Sequence, residues 1–243
     1  DPGRRGHELT VHPDYDFVIG LEVNMHLATR AKLFSTCPVA NGGEHNTSVS
    51  EICLALPGTQ PVIYAEAVRF AVRAGLATHC EVHPHSVFAR KHYFYPDLPK
   101  GYQISQFEEP LATGGYVEIQ DPDVPEQARR IRLTRIHMEE DAGKSIHDPA
   151  LAGSDATLID LNRAGVPLIE IVSEPDLSSP EDAAAYLRSL HRTLRYASVS
   201  EADMERGQFR CDANGSLRPH GDTTLGTRTE IKNLNSFRSV EFA

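Results

Sequence analysis

Ten residues, Arg135-Ile136-His137-Met138-Glu139-Glu140-Asp141-Ala142-Gly143-Lys144, pack three carboxylates, an imidazole and an ammonium directly behind a strand-like run, Arg130 to Thr134. If the strand continues through them, alternation places Arg135, His137 and Glu139 on one face and Ile136, Met138 and Glu140 on the other. Adjacent carboxylates raise one another's pKa unless a cation or hydrogen-bond donors offset them. Glu139-Glu140-Asp141 behind a buried-looking strand therefore fits a Mg2+ or catalytic site. A solvated acidic turn is the competing reading, and the rest of the chain has to decide between them.

Other stretches carry the same kind of signal. In Phe17 to Leu27, Leu21, Val23, Met25 and Leu27 alternate with Glu22, Asn24 and His26, giving one core face and one face with three ligands or hydrogen-bonding groups at every second position. Glu170 lies between Ile169 and Ile171 on the face it shares with Leu168 and Val172, where an unpaired carboxylate is costly, so it requires a cation, an arginine or a proton. From Gln208 to Arg218, Phe209, Cys211, Ala213 and Leu217 oppose Arg210, Asp212, Asn214, Ser216 and Arg218; Thr227 to Leu234 adds Arg228, Glu230 and Lys232 at alternate positions. Together these describe a sheet whose open face handles cations and phosphates. There is no Walker-type glycine loop and no G-x-G-x-x-G, so a nucleotide would be held by metal and side chains on the sheet, not by a helix N-terminus.

The elements that position these groups can be read from periodicity. Tyr64 to Ala77 has Ala65, Val68, Ala71, Val72, Gly75 and Leu76 at helical spacing. A second helix starts at Ser179, a plausible N-cap, with Pro180 at the first helical position and a stripe of Ala183, Tyr186, Leu187, Leu190 and Leu194. Ser236 reads as the N-cap of a third. Thr157 to Val172 reads as two strands around a turn at Ala164-Gly165-Val166-Pro167. Residues 31–61 are loop-rich, Asp121 to Glu126 is a surface excursion and His147 to Asp155 a polar loop. Arg90 to Gln103 interleaves aromatic and basic residues between two prolines and a glycine; it either stacks bases and holds phosphates or is a rigid loop tucked onto the core by its rings.

Composition sets the outer limits. The 243 residues carry a net charge of −10, from 34 acidic against 24 basic groups, which argues against a general, charge-driven nucleic-acid binder but allows a local basic patch for one end of an RNA. Cys37, Cys53, Cys80 and Cys211 show no disulfide-framework spacing, and Cys37 and Cys53 lack a C-x-x-C pair, so free thiols are expected. No apolar run approaches the length of a membrane span and the N-terminus does not resemble a signal peptide, so a cytoplasmic protein is expected. A first residue other than Met and a last helix cut short are read as signs of trimming or of a piece of a longer protein.

Taken in order, Gly20-Leu-Glu-Val23, Arg90 to Gln106, Arg135 to Lys144, Asp160 to Asp176, Arg210-Cys-Asp-Ala-Asn214 and Thr229 to Ser236 closely resemble the B subunit of the tRNA-dependent amidotransferases that make Gln-tRNA and Asn-tRNA from misacylated precursors. The resemblance runs from about Phe17 to the end. It implies an α+β catalytic cradle, with a mixed or antiparallel sheet related to the glutamine synthetase fold and helices on one side, spanning 17–243 behind a flexible segment 1–16 and incomplete at its C-terminus. It also implies an activity: ATP and Mg2+ are used to phosphorylate the side-chain carboxylate of Glu or Asp esterified to tRNA, and ammonia from a partner amidase displaces the phosphate. Implied partners are that amidase, a small clamp protein of the same complex and the tRNA acceptor end.

Carried over by position, Glu22, Asn24, Glu139, Glu140 and Glu170 would be metal ligands. Glu139, Glu140, Asp141 and Lys232 would be catalytic, and Arg210, Asp212, Asn214 and Glu230 would surround the phosphates. The chain departs from the family where Asn24 replaces a usual histidine and His26 stands two residues on. Asn24 can still offer an oxygen to Mg2+, whereas loss of a ligand would fit weakened or redirected activity. Ser35 and Ser50 stand where many relatives have cysteines of a zinc site, so no zinc is expected. The alternatives are a paralogue that amidates another carboxylate and a non-catalytic scaffold or acceptor-end binding partner.

Overall fold

The longest alternating runs become the centre of the structure. In the computed structural model, which describes residues 14–39, 42–120, 127–148, 150 and 156–243, β1 (Tyr15–His26) buries Leu21, Val23 and Met25 on one face and leaves Glu22, Asn24 and His26 half-buried on the other. It pairs with β10 (Pro167–Ser173) on one side and β11 (Phe209–Pro219) on the other. Beyond β11 lies β12 (Thr229–Leu234), and beyond β10 come β7 (Ala128–Glu140), β5 (Ala112–Thr113) and β2 (Glu81–Val82), with β6 (Tyr116–Gln120) on the first half of β7. Two small hairpins stand apart: β3 (Ala89–His92) with β4 (Tyr102–Ser105), and β8 (Lys144–Ile146) with β9 (Leu158–Asp160). All strand pairings among the described residues are antiparallel.

Helices cover the apolar face. α1 (Ala65–Ala77) contributes Ala67, Ala71 and Ala74, and α2 (Pro180–Tyr196) contributes Ala183, Tyr186, Leu187, Leu190 and Leu194, to one core with Leu21, Val23, Met25, Ile136, Met138, Ile169 and Ile171. Small residues let α1 lie close to the sheet. Ser179 caps α2 as its position suggests, its Oγ accepting from Asp182 N at 3.1 Å. Ser236 caps α3 (Phe237–Glu241) the same way, accepting from Ser239 N at 2.9 Å. No helix among the described residues is long and apolar enough to cross a membrane.

Several expectations change in detail. β7 does continue through the acidic motif, as far as Glu140. The Arg90 to Gln103 segment forms an arm, the β3–β4 hairpin with its connecting loop: Leu98 is buried and Tyr102 packs against the core, while Phe94 and Tyr95 are 81% and 63% exposed. The two strands around Ala164 to Pro167 belong to different sheets, because the turn bonds elsewhere. Gly165 N donates to Asp141 O at 2.8 Å and Leu33 N to Gly165 O at 2.9 Å. β1 begins at Tyr15, inside the segment 1–16 expected to be flexible. Residues 1–13, the excursion Asp121 to Glu126 and most of the loop after Asp148 lie outside the described residues.

Just past β10, Asp176 fixes the strand end to β7. It accepts from Arg132 N at 3.0 Å, Nε at 2.8 Å and Nη2 at 2.6 Å. Those hydrogen bonds, against partial burial, hold its carboxyl below the usual carboxylate range. A carboxyl depressed on folding stabilises the fold above its unfolded pKa of about 3.9, and the contribution disappears as pH falls through the lower folded value. Asp176→Asn should therefore lower the urea midpoint near neutral pH, with the deficit shrinking in acid below that range; a deficit of constant size across pH would contradict this.

Candidate functional site

Strand register brings the polar positions into rows. Across the open face Asn24 lies opposite Glu170 on one side and Arg210 on the other, and Glu170 lies opposite His137. In the neighbouring rows Glu22 faces Val172 and Asp212, and Glu139 faces Leu168. The ligand atoms of His137, Glu139 and Glu170 lie within 4.8 Å of one another, with His137 Nε2 3.7 Å from Glu139 Oε2 and 3.8 Å from Glu170 Oε1. Ser105 Oγ donates to Glu139 Oε2 at 3.1 Å, and Asn214 Nδ2 to Glu22 Oε1 at 2.9 Å. Arg135 Nε donates to His137 Nδ1 at 3.4 Å; with this assignment the proton sits on Nε2, so the imidazole is a donor aimed between two carboxylates.

Glu170 shows the strain of this crowding. Burial raises its carboxyl pKa and the charges of Glu139 and Glu22 add to the rise, while His137 and Arg135 oppose it. A hard divalent cation among these oxygens would relieve the repulsion, and the donor set, carboxylates with an amide oxygen nearby, suits Mg2+. Glu139 and Glu170, with His137 between them, have their ligand atoms close enough together to share it, and Glu22 lies one row from Glu170. Asn24 sits in the row, half-buried, with no side-chain hydrogen bond among the described residues.

The acidic triplet is split three ways. Glu139 faces the row, but Glu140 points to the opposite face. There its carboxylate meets Lys100 Nζ and accepts from Ile104 N at 3.1 Å, while Gln103 Nε2 donates to Glu140 O at 2.7 Å. Burial raises the Glu140 carboxyl pKa against the pull of Lys100. Asp141 lies at a junction of basic side chains: His26 Nε2 at 2.6 Å, Arg210 Nη2 at 2.9 Å and Arg163 Nε at 3.4 Å. Burial pushes its carboxyl up, but His26, Arg210 and Arg163 outweigh it and hold the group well below the usual range. Gly143 follows because backbones converge there: a Cβ would come within 2.8 Å of Asp97 O and 2.9 Å of Asp160 O. Glu140 thus anchors the arm and Asp141 ties β7 to β1 and β11; neither carboxylate joins the row.

Of the remaining positions, Asp212 flanks Glu22 and accepts from Asn233 N at 2.7 Å. Glu230 lies opposite Asn214 on β12. Lys232 is at the sheet edge, 62% exposed, 3.4 Å from Glu230. Arg210 is committed to Asp141. Sequence reasoning placed Arg135 and His137 on one face with Glu139 but counted neither as a site residue, put Lys100 in the aromatic-basic stretch without tying it to Glu140, and missed Ser105. Alternation carried a signal for the first two; the partnerships of Ser105 and Lys100 with β7 come from a distant hairpin and gave none. In the early loop, Lys32 is 1% exposed and its Nζ donates to Ser48 O at 2.7 Å and lies 3.4 Å from Cys53 Sγ, so an ammonium occupies that cluster.

The split makes a test. Titration of Mn2+ followed by electron paramagnetic resonance should show affinity weakened about tenfold or more in Glu139→Gln and Glu170→Gln. Glu140→Gln should keep affinity within about threefold while lowering the unfolding free energy, because a buried ammonium loses its partner. Equal losses of affinity in all three would contradict the separation of faces.

Residues 17–243 match the family described as "GatB/GatE catalytic domain". The chain is similar to proteins named as the B subunit of aspartyl/glutamyl-tRNA(Asn/Gln) amidotransferase. It is 58% identical to that of Anaeromyxobacter sp. (strain Fw109-5) over 230 residues, covering 95% of this chain and 46% of the relative. It is 54% identical to that of Persephonella marina (strain DSM 14350 / EX-H1) over 230 residues, covering 95% and 47%. The chain thus spans about half the length of these curated relatives. With a match over nearly its whole length, it belongs to the GatB/GatE catalytic domain family.

Proposed function

We propose that this chain is the catalytic cradle from the B subunit of a tRNA-dependent amidotransferase, spanning 17–243, with a sheet of glutamine synthetase type. The reaction is the ATP-dependent phosphorylation of the side-chain carboxylate of Glu or Asp esterified to tRNA, followed by displacement of the phosphate by ammonia. The observation that carries this reading is the convergence of Glu139, Glu170 and His137 on the open face of the sheet, with Glu22 close enough to act on Glu170, in a chain of this family.

Mg2+, when bound, would neutralise charge on the transferred phosphoryl group, and phosphoryl transfer depends on such neutralisation and on positioning more than on covalent help from the protein. Glu139, Glu170 and Glu22 would hold it, Asn24 offering an amide oxygen in place of the family histidine. His137 orients Glu139 and Glu170, and Ser105 and Asn214 fix one oxygen each of Glu139 and Glu22. Asp212, Asn214, Glu230 and Lys232 border the phosphate path, with Lys232 free to swing from its exposed position. The arm with Phe94 and Tyr95 is placed to stack the acceptor end of tRNA. An amidase and a small clamp protein are the partners, the compartment is the cytoplasm, and Lys32 stands in for zinc in the early loop.

The experiment is ATP hydrolysis by the intact protein with Mg2+ and its amidase partner, with and without misacylated Glu-tRNA or Asp-tRNA. Turnover stimulated by one of these tRNAs, and reduced by at least about a hundredfold in Glu139→Ala, is the expected result. Turnover indifferent to tRNA would contradict the assignment of the acceptor, and wild-type turnover in Glu139→Ala would contradict the site.

A further inference from the structure

The early loop holds two buried side chains that the proposed reaction does not use. Lys32 follows β1, and its Nζ lies 3.4 Å from the Sγ of Cys53, 21 residues further along the chain; Cys53 is 7% exposed. The other partners of Nζ are backbone carbonyls, Ser48 O at 2.7 Å and Leu161 O at 3.4 Å, and among the described residues no carboxylate meets it. A buried amine is costly without a partner of opposite charge, so Cys53 is the acidic side chain that this amine is set against. A cavity of about 10 Å3 reaches both residues and is also lined by Ser35, Ile52, Lys100 and Glu140. It has room for about one water, so it admits a hydroperoxide as small as hydrogen peroxide and excludes bulky thiols such as glutathione.

Packing holds the two groups together. The thiol is fixed by Ser50 Oγ at 3.3 Å and Ala164 O at 3.5 Å, and a Cβ on Gly165 would lie 3.5 Å from Lys32 Cδ and 3.8 Å from Cys53 Sγ, so one turn backs both side chains. The other cysteines are placed differently. Cys80 and Cys211 meet no amine among the described residues, and burial pushes both thiols up, which makes them poor nucleophiles. Cys37 is less buried, and its Sγ faces Ser48 Oγ at 3.7 Å.

We propose that Lys32 and Cys53 form an oxidant-sensitive pair, which a small hydroperoxide converts to a covalent Nζ–Sγ link. Hydrogen peroxide oxidises the sulfur by two electrons. Its O–O bond breaks, one oxygen forms Sγ–OH, and the thiol hydrogen leaves with the other oxygen as water. The amine, after releasing its extra proton to solvent, attacks Sγ. The N–S bond forms, the S–O bond breaks, and the hydroxyl leaves with one Nζ hydrogen as a second water. The inference is independent of what the open face of the sheet binds. Its consequence is mechanical, because the link closes the early loop onto the residues that follow β1.

The test treats the intact protein with hydrogen peroxide and reads it by mass spectrometry and thermal melting. Glu44 and Glu51 lie between the two residues, so a glutamate-specific protease separates them. The expected product is a joined pair of peptides lighter than their sum by two hydrogen atoms, which falls apart when the digest is reduced. It should still form in Cys37→Ser and be lost in Cys53→Ser and in Lys32→Met. The oxidised wild-type protein should melt about 5 °C or more above the reduced one, because the link restricts the unfolded chain, and Cys53→Ser should show no such rise. Loss of the joined peptides in Cys37→Ser would assign them to a disulfide and overturn the inference, as would their survival in Lys32→Met. Cys53 carrying two or three oxygens with no joined peptide, a link that retains an oxygen, or a Cys53 that peroxide leaves untouched would overturn it as well.

Discussion

Repulsion among carboxylates on one face of an antiparallel sheet is the constraint around which this protein is arranged. Glu22, Glu139 and Glu170 come from three adjacent strands, and side-chain alternation leaves no freedom to turn any of them away without exchanging the whole core face of its strand. The helices press on the other face, so the strands are rigidly backed. The burial that raises the Glu170 pKa, and the neighbouring carboxylates that add to the rise, are therefore built in, and a site that pre-assembles unfavourable like charges is one prepared for a cation.

Much of the remaining polar structure holds that arrangement still. Lys100 and Glu140 join the arm to β7 from beneath, in a buried pair whose separation would strand a charge. Asp141 gathers His26, Arg210 and Arg163 at the strand ends. His26 does this from β1, two residues beyond Asn24. Its imidazole is thus part of a structural junction, whereas the Asn24 amide faces the row without a side-chain hydrogen bond among the described residues.

The strands and helices were legible because their periodicity is strong: β1, β7, β11 and both capped helices follow directly from alternation, stripe and cap residues. The site was half legible. Glu22, Glu139 and Glu170 share a face for reasons visible in each strand alone, but that they share one place depends on register. Register comes from the pairing of β1 with β10 and of β10 with β7, which no local pattern reveals. Glu140 and Asp141 were misleading because adjacency in sequence looks like a cluster, whereas a strand sends neighbours to opposite faces. Their true partners, Lys100, His26 and Arg210, lie 40, 115 and 69 residues away.

The central claim, that the open face holds a divalent cation between Glu139 and Glu170, is tested most directly by anomalous scattering from crystals of the protein soaked in Mn2+. The account predicts a peak within coordination distance of both carboxylates, about 2.0–2.4 Å from each ligand oxygen, with Glu140 still on Lys100. A peak bound instead by Glu140, Asp141 or the Asp212 and Glu230 edge, with His137 unmoved between Glu139 and Glu170, would contradict it.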